Sequence, residues 1–557
     1  PATAIEQLTN AHRLTTLRID HPEPGAYLFR AASDEAALAV ADALQGHSAV
    51  EYAQPNFLRI APQLAAPRAV ERLGTGGFAP GDGFGAYRSP ELPGSARLPG
   101  SRTSSPAREA GAPDGFRMPA GGRFAFDDPA LPAQWALQRI AALEAFAITT
   151  GTPSVSVAVI DVGCDLAHED IDYLRPGHDA VDTTERSSTG PTADGRPAHG
   201  PHPDGEQAHG TACAGIVAMR GANGRGGVGV APDCTILPVR VGHGLAGGFW
   251  RTTDAALAEG IRAAVDRGAA VLLLPFATAP STVVTRALRH ARIRGRGGLG
   301  CAIAAAAGNE DVRGVRYPAR LSATIPSLVA VGASNQWDQR KSGASVDGER
   351  WWGSNYGPEL DLVAPGVRIH TADRMGADGY DVGHYVPDFN GTSAAAAHVA
   401  GAMALLLSLA PDLRGWEAAE ILRSTADDLG IDGRDEHTGF GRLDVRRALE
   451  AARGPTVTVH ALPQFLGTGR ECFARFEVRV HNPGIDAVQI DTLTLATHGA
   501  PGGDDAEIDR VELRFPPGGV LLPRTTRELH LAGVLLRAMG DEARGWALRW
   551  SARWACT

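Results

Sequence analysis

From residue 126 to about residue 453, short apolar runs alternate with stretches of helical spacing. Residues 155–160, 234–241, 271–274, 302–306 and 328–333 are dominated by apolar side chains, and a helix-spaced stretch covers 253–266. Strands that lack a polar face belong to parallel sheets covered by helices on both sides. Parallel neighbours need crossover connections, which helices supply. This region is therefore expected to be an α/β domain with a largely parallel sheet.

The chain has 557 residues, room for about three or four domains. A small α+β unit is expected over 1–60. There, 14–19 and 26–31 alternate as strands do, Ser33 is placed to cap a helix over 34–44, and 49–53 and 57–60 are further short strands. Residues 61–125 are rich in Pro, Gly, Ala, Ser and Arg and keep no apolar period, the composition of a linker open to cleavage. The α/β domain takes up 126–453. Over 454–557 helical spacing mostly ends. The runs 456–461, 473–480, 488–495, 511–515, 528–531 and 546–550 have the pattern of strands, with Asn482-Pro483-Gly484 as a turn, and predict a small β-sandwich.

Composition narrows the function classes. A chain with 43% hydrophobic and 21% charged residues is globular, not disordered. Its net charge of -10 leaves no basic footprint, so no nucleic-acid partner is expected. Six cysteines in a chain this long do not make a disulfide framework. Lys341 is the sole lysine against many arginines, which reads as coding bias. Residues 392–410 approach the length of a membrane span, but they contain His398 and are mostly Ala and Gly in their first half. A buried core helix is expected there, and no membrane span.

Three segments of the α/β region carry chemistry. Asp161 ends the apolar run Val157-Ala158-Val159-Ile160, with Gly163 two residues on. Parallel sheets gather ligands and catalytic groups at the carboxyl ends of their strands, although a strand-end Asp is also a common cap. His209 opens a stretch of small residues, Gly210-Thr211-Ala212-Cys213-Ala214-Gly215. Ser393 follows Asn390-Gly391-Thr392 and opens a long helix, as a plain cap or as a nucleophile near a helix N-terminus. Acyl transfer by serine needs a nucleophile, a base and an acid that orients the base, and all three types occur here in the order Asp, His, Ser.

With these segments the sequence resembles subtilisin-type serine peptidases, the subtilase family, as does Ala306-Ala307-Gly308-Asn309. Asp128-Pro129, Gln134-Trp135-Ala136-Leu137, Gly295-Arg296-Gly297-Gly298-Leu299-Gly300 and Gly391-Thr392-Ser393-Ala394-Ala395 resemble its kexin-like branch. The resemblance implies a serine endopeptidase acting on protein or peptide substrates. Asp161 would orient His209, His209 would take the proton of Ser393, and the Ser393 amide with the Asn309 side chain would hold the oxyanion.

It also implies a structural Ca²⁺, held by Asp128, Asp170, Asn223 and the carbonyls of Arg220, Arg225 and Gly227. Oxygen donors of this kind suit the ion, and the alternative is a Gly-rich turn with solvated acids. Residues 1–60 resemble a propeptide, with Val50-Glu51-Tyr52-Ala53-Gln54-Pro55-Asn56 as its last strand. A self-cleaving zymogen, inhibited by its own propeptide, monomeric and secreted or periplasmic, follows from that likeness.

Some positions depart from the family pattern. The segment that pairs with substrate is Leu274-Pro275-Phe276-Ala277-Thr278, with substrate contacts expected at Pro275, Phe276 and Ala277. Pro275 has no N–H to offer. No acidic cluster follows as in dibasic-specific relatives, although Glu310 and Asp311 favour a basic substrate residue weakly. Ala397 stands where a Pro is usual. Cys213 lies one helical turn after His209 and has the character of a buried thiol, while Cys472 and Cys556 are candidates for a disulfide. Two rival readings are a pseudopeptidase that only binds peptides and a peptidase dedicated to one precursor.

Overall fold

The computed structural model describes residues 126–173, 176–181, 208–245 and 249–453. It also describes 9–11, 14–19, 27–31, 33–45, 50, 53, 58–62, 456–466, 471–481, 488–498, 507–514, 520–521, 526–537 and 547–556. The expected linker beyond Pro62, and most of the expected strand at 50–56, lie outside the described residues.

At the N-terminal end, β1 (Thr15–Ile19) and β2 (Tyr27–Arg30) pair antiparallel, and a helix runs Asp34–Gln45. Ser33 caps it, accepting from the Ala36 amide at 3.2 Å. The next strand, β3 (Leu58–Pro62), runs two residues past the expected unit and joins neither β1 nor β2. It pairs antiparallel with a strand of the α/β region, Leu58 against Thr253 through Pro62 against Phe249.

The apolar runs form a seven-stranded sheet. Its strands are β4 (Ser156–Asp161), β5 (His178–Asp179), β6 (Thr235–Arg240), β9 (Val271–Leu274), β10 (Ala302–Ala306), β11 (Leu328–Ser334) and β12 (Leu362–Pro365). Their order is β12-β11-β10-β9-β4-β6-β5, and every pairing is parallel. Between β6 and β9 lie β7 (Gly242–Leu245) and β8 (Phe249–Thr253), which form a small antiparallel sheet with β3. The chain leaves β4 toward β6, then returns to its other side through β9. Crevices open at the carboxyl ends of strands where the order reverses in this way.

Period two divides the strands between two cores. Val157 and Val159 of β4 and Val271 and Leu273 of β9 face one core, while Ala158, Ile160, Leu272 and Leu274 face the other. The first core holds the helices His209–Ala218 and Thr392–Leu409, and the second holds Asp254–Asp266 and Thr282–Arg294. Both faces of the sheet are thus buried, which is why the runs have no polar side. Thr392–Leu409 is long and apolar enough to cross a membrane, and 89% of that window is buried inside the fold. It crosses the sheet as the expected core helix.

A hairpin of β13 (Ile369–Gly376) and β14 (Gly383–Phe389) precedes the long helix. The described residues from 456 to 556 are all strands: β15 (Thr456–Leu466), β16 (Glu471–His481), β17 (Val488–His498), β18 (Glu507–Arg514), β19 (Val520–Leu521), β20 (Thr526–Arg537) and β21 (Ala547–Cys556). They fall in two antiparallel sheets, β15-β16-β20 and β18-β17-β19 with β21 on β17. Cys472 and Cys556 lie on strands of different sheets.

Candidate active site

The site is built where three parallel strands end. Asp161 is the last residue of β4, and its side chain is steadied by the Val162 amide, 2.7 Å from Oδ1. His209 is the first residue of its helix, so its ring projects from the helix start toward β4. Ser393 is the second residue of the long helix, after Gly391 and Thr392. Gly391 takes the cap position and has no side chain to cap with, so the serine is not an N-cap.

These three residues, far apart in sequence, meet in a line. His209 Nδ1 lies 2.7 Å from Asp161 Oδ2, and His209 Nε2 lies 3.1 Å from Ser393 Oγ. All three side chains are buried. An ionised carboxylate only accepts, so Nδ1 carries the ring proton and Nε2 is the acceptor that faces the hydroxyl. Phe389 packs edge-on against the ring at 5.7 Å and fixes its plane. Ser393 Oγ also donates to the Pro275 carbonyl at 2.8 Å. One hydroxyl proton serves two acceptors, one at a time.

Asn309 follows β10 and reaches the same helix start. Its Oδ1 accepts from the Thr392 amide at 2.9 Å and from Thr392 Oγ1 at 2.8 Å. That turns the donor end of its amide away from Thr392. The sequence reading placed Asn309 but missed Thr392 as its holder. The Gly-Thr-Ser order, with a hydroxyl directly before the serine, was the available signal.

Pro275 and Phe276 follow β9 directly. The missing N–H of Pro275 is matched by the use of its carbonyl, which faces Ser393. Phe276 is buried against Trp250 of β8, with ring centroids 5.2 Å apart. Ala277 is half-buried, and the Thr278 amide bonds the Tyr317 carbonyl at 2.9 Å. Glu310, which is exposed, and Asp311, which is partly buried, already have partners within the chain. Glu310 binds Arg316 at 3.2 Å and Asn355 at 2.6 Å, and Asp311 binds Arg340 at 2.7 Å. Any pull of these acids on a basic substrate residue would compete with these pairings.

The four cysteines described in this region are buried free thiols. Cys213 Sγ lies within 4.8 Å of ligand atoms of Asp161 and His209. Burial first, then the Asp161 charge, pushes the Cys213 thiol far up and keeps it neutral.

A second cluster forms around the loop at 220–227. Asp128 accepts from the amides of Ala222, at 2.8 Å, and Asn223, at 3.2 Å. Asp170 is fully buried and meets Asn223 Nδ2 at 2.5 Å and the Tyr385 hydroxyl at 3.2 Å. Burial, and beside it the Asp128 charge, pushes Asp170 up to about 6. The side chains of Arg220 and Arg225 turn away to Asp172 and Glu169, so only their backbones belong to the loop. Gly226 has φ +40°, and a Cβ there would sit 2.6 Å from Asp170 Oδ2 and 2.2 Å from Tyr385 Cε1. The loop is thus wrapped tightly around a buried pair of acids. Asn223 Oδ1 accepts from the Arg225 amide at 3.0 Å, so turning the side-chain amide over to bring its oxygen to a cation gives up that bond. This donor set, two carboxylates, an amide oxygen and backbone carbonyls, fits a hard cation.

Comparison with known proteins places this arrangement. Residues 152–441 match the subtilase family, Peptidase S8. The chain is 33% identical over 306 residues to subtilisin NAT of Bacillus subtilis subsp. natto, covering 53% of this chain and 66% of that protein. It is 33% identical over 306 residues to a subtilisin of Bacillus pumilus, covering 53% of this chain and 91% of that protein. A calcium-dependent protease of Trichormus variabilis is 30% identical over 371 residues, covering 58% of this chain and 52% of that protein. An imidazole held between a carboxylate and a hydroxyl at the ends of parallel strands is the arrangement of a serine hydrolase. The chain belongs to the subtilase family. As an enzyme it is a subtilisin-like serine endopeptidase.

Proposed function

We propose that this chain cleaves peptide bonds in protein substrates by acyl transfer through Ser393. The single observation that carries the reading is the line Asp161 Oδ2, His209, Ser393 Oγ, with bonds of 2.7 and 3.1 Å. Ser393 Oγ attacks the scissile carbonyl carbon while its proton passes to His209 Nε2. Asp161 holds Nδ1–H and stabilises the imidazolium. The Ser393 amide and the Asn309 amide donate to the oxyanion. His209 then gives the proton to the leaving amine, and water repeats the sequence to release the acid. Residues 275–277 form the edge beside which substrate lies, with Pro275 accepting only.

The proposed order of the chain is propeptide over 1–60, linker over 61–125, catalytic domain over 126–453 and accessory β-sandwich over 454–557. Its being made as a self-processing zymogen is supported by β3. That strand lies on β8, whose Trp250 packs at a tilt against Phe276, next to the Pro275 carbonyl that meets Ser393. An extended segment leading into the linker is thus paired beside the site. The entry and glycine-loop motifs support a place near the kexin-like branch. The product is proposed as a secreted or periplasmic monomer. A structural Ca²⁺ would be held by Asp128, Asp170, Asn223 and the carbonyls of Arg220, Arg225 and Gly227, and would neutralise two buried acids.

Intact mass followed over time, for wild type and Ser393→Ala, with calcium and with chelator, tests this. Loss of an N-terminal fragment and fluorophosphonate labelling in the wild type alone are expected. A wild type that is neither labelled at Ser393 nor processed refutes catalysis and leaves a peptide-binding pseudopeptidase.

A further inference from the structure

We propose that Asn355 is a positioning residue for the oxyanion donor Asn309, an inference that rests on the catalytic reading above. The segment that carries Asn309 has no regular structure of its own after β10. It is held by a short parallel ladder, in which Glu310 pairs with Gly353 and Arg313 with Tyr356. Asn355 lies in the middle of that ladder and is fully buried. Its backbone amide binds the Gly308 carbonyl at 2.9 Å. Its Oδ1 accepts from the amides of Glu310, at 3.1 Å, and Val312, at 3.2 Å. Its Nδ2 donates to Glu310 Oε2 at 2.6 Å. One side chain thus grips the residue after Asn309 and the next but one, while its backbone grips the residue before.

The ladder is fastened from behind. Arg340 joins Asp311 at 2.7 Å and the Ser354 carbonyl at 2.5 Å. The Ser354 amide binds the carbonyl of Lys341 at 2.8 Å. Lys341 is fully buried, and its ammonium lies 2.9 Å from Asp347 and 5.3 Å from the Trp352 ring centroid. Asn355 therefore joins the segment that carries Asn309 to a loop fastened from behind. Thr392 sets the rotation of the Asn309 amide. Asn355 sets where its backbone starts, and both must hold for the donor to meet the oxyanion.

The test is a double-mutant cycle on the full chain, with kcat, KM and Tm for wild type, Asn355→Ala, Asn309→Ala and the double variant. A misplacement near 1 Å costs about 10²-fold in rate. Asn355→Ala is expected to lower kcat roughly 10- to 10²-fold with KM nearly unchanged. In the Asn309→Ala background it should cost under about twofold, because the donor it positions is gone. Equal losses in both backgrounds, or unchanged kcat, overturn the proposal. If Asn355→Ala does not fold, Asn355→Asp carries the test. It keeps an acceptor oxygen for the Glu310 and Val312 amides but sets a carboxylate against Glu310, so kcat should fall and Glu310→Gln should restore it. Failure to restore it overturns the proposal. A wild type that turns over while Asn309→Ala keeps full kcat refutes the oxyanion reading instead.

Discussion

Gly210→Ala tests how closely the helix of the proposed base His209 must approach the sheet. Gly210 follows His209 and lies against the turn after β4. A Cβ built there would sit 2.1 Å from the Gly163 carbonyl oxygen and 3.2 Å from Asp161 Cβ. Real contacts of this kind stay above 3.0 Å, so helix and turn must part by about 0.9 Å. The residue added is a better helix former than glycine, so the helix itself is not weakened. The displacement falls instead on the 2.7 Å bond between His209 and Asp161, which joins the same two elements. A shift near 1 Å in a catalytic constellation costs about 10²-fold in rate. Overpacking of this size costs about 1–3 kcal/mol of stability. Steady-state kinetics on a peptide anilide should show kcat down roughly 10²-fold, with Tm lowered by several degrees. A variant with kcat within twofold of wild type and an unchanged Tm would refute the reasoning, because the turn would then be yielding freely.

Three further outcomes follow from buried groups. Chelation should lower the Tm of the wild type, and Asp170→Asn should abolish that effect; a site at 100 times its Kd contributes about 2.7 kcal/mol. His398 is buried with Nδ1 on the Ala394 carbonyl at 2.9 Å, and burial lowers it to about 4. The unfolded chain binds that proton below about 6.5, and the folded chain does not until about 4. Stability should therefore fall by about 3 kcal/mol as pH drops through that window, and less in His398→Gln, as read by denaturant titration at pH 7 and pH 4. Burial pushes Cys301 up to about 12 and raises Cys164, Cys213 and Cys234 as well. These four thiols should be silent to a disulfide reagent at pH 8 and react only in denaturant; fast reaction of any one in the native chain would contradict its burial.

Much of this protein is legible in its sequence because its signals are local. The apolar runs of 157–160, 271–274 and 302–306 are buried on both faces, so they announce a parallel sheet without any tertiary information. Asp161, His209 and Ser393 each sit at a boundary between a regular element and a turn. The motifs around them are short, which is why the candidate site could be named residue by residue. What sequence alone leaves open is partnership across long separations. That β3 joins β8 rather than its own unit depends on which strand edge is exposed, not on its own five residues. The sequence does not show that Glu310 is paired with Arg316 and Asn355. Asn355 reads as an ordinary loop residue, and only the ladder beside β10 shows what it holds. Periodicity and motif spacing determined the elements and the candidate site residues at their ends. Hydrogen bonds between distant segments were decided by strand order and by how closely backbones approach, and those distances exist only once the crossovers have closed.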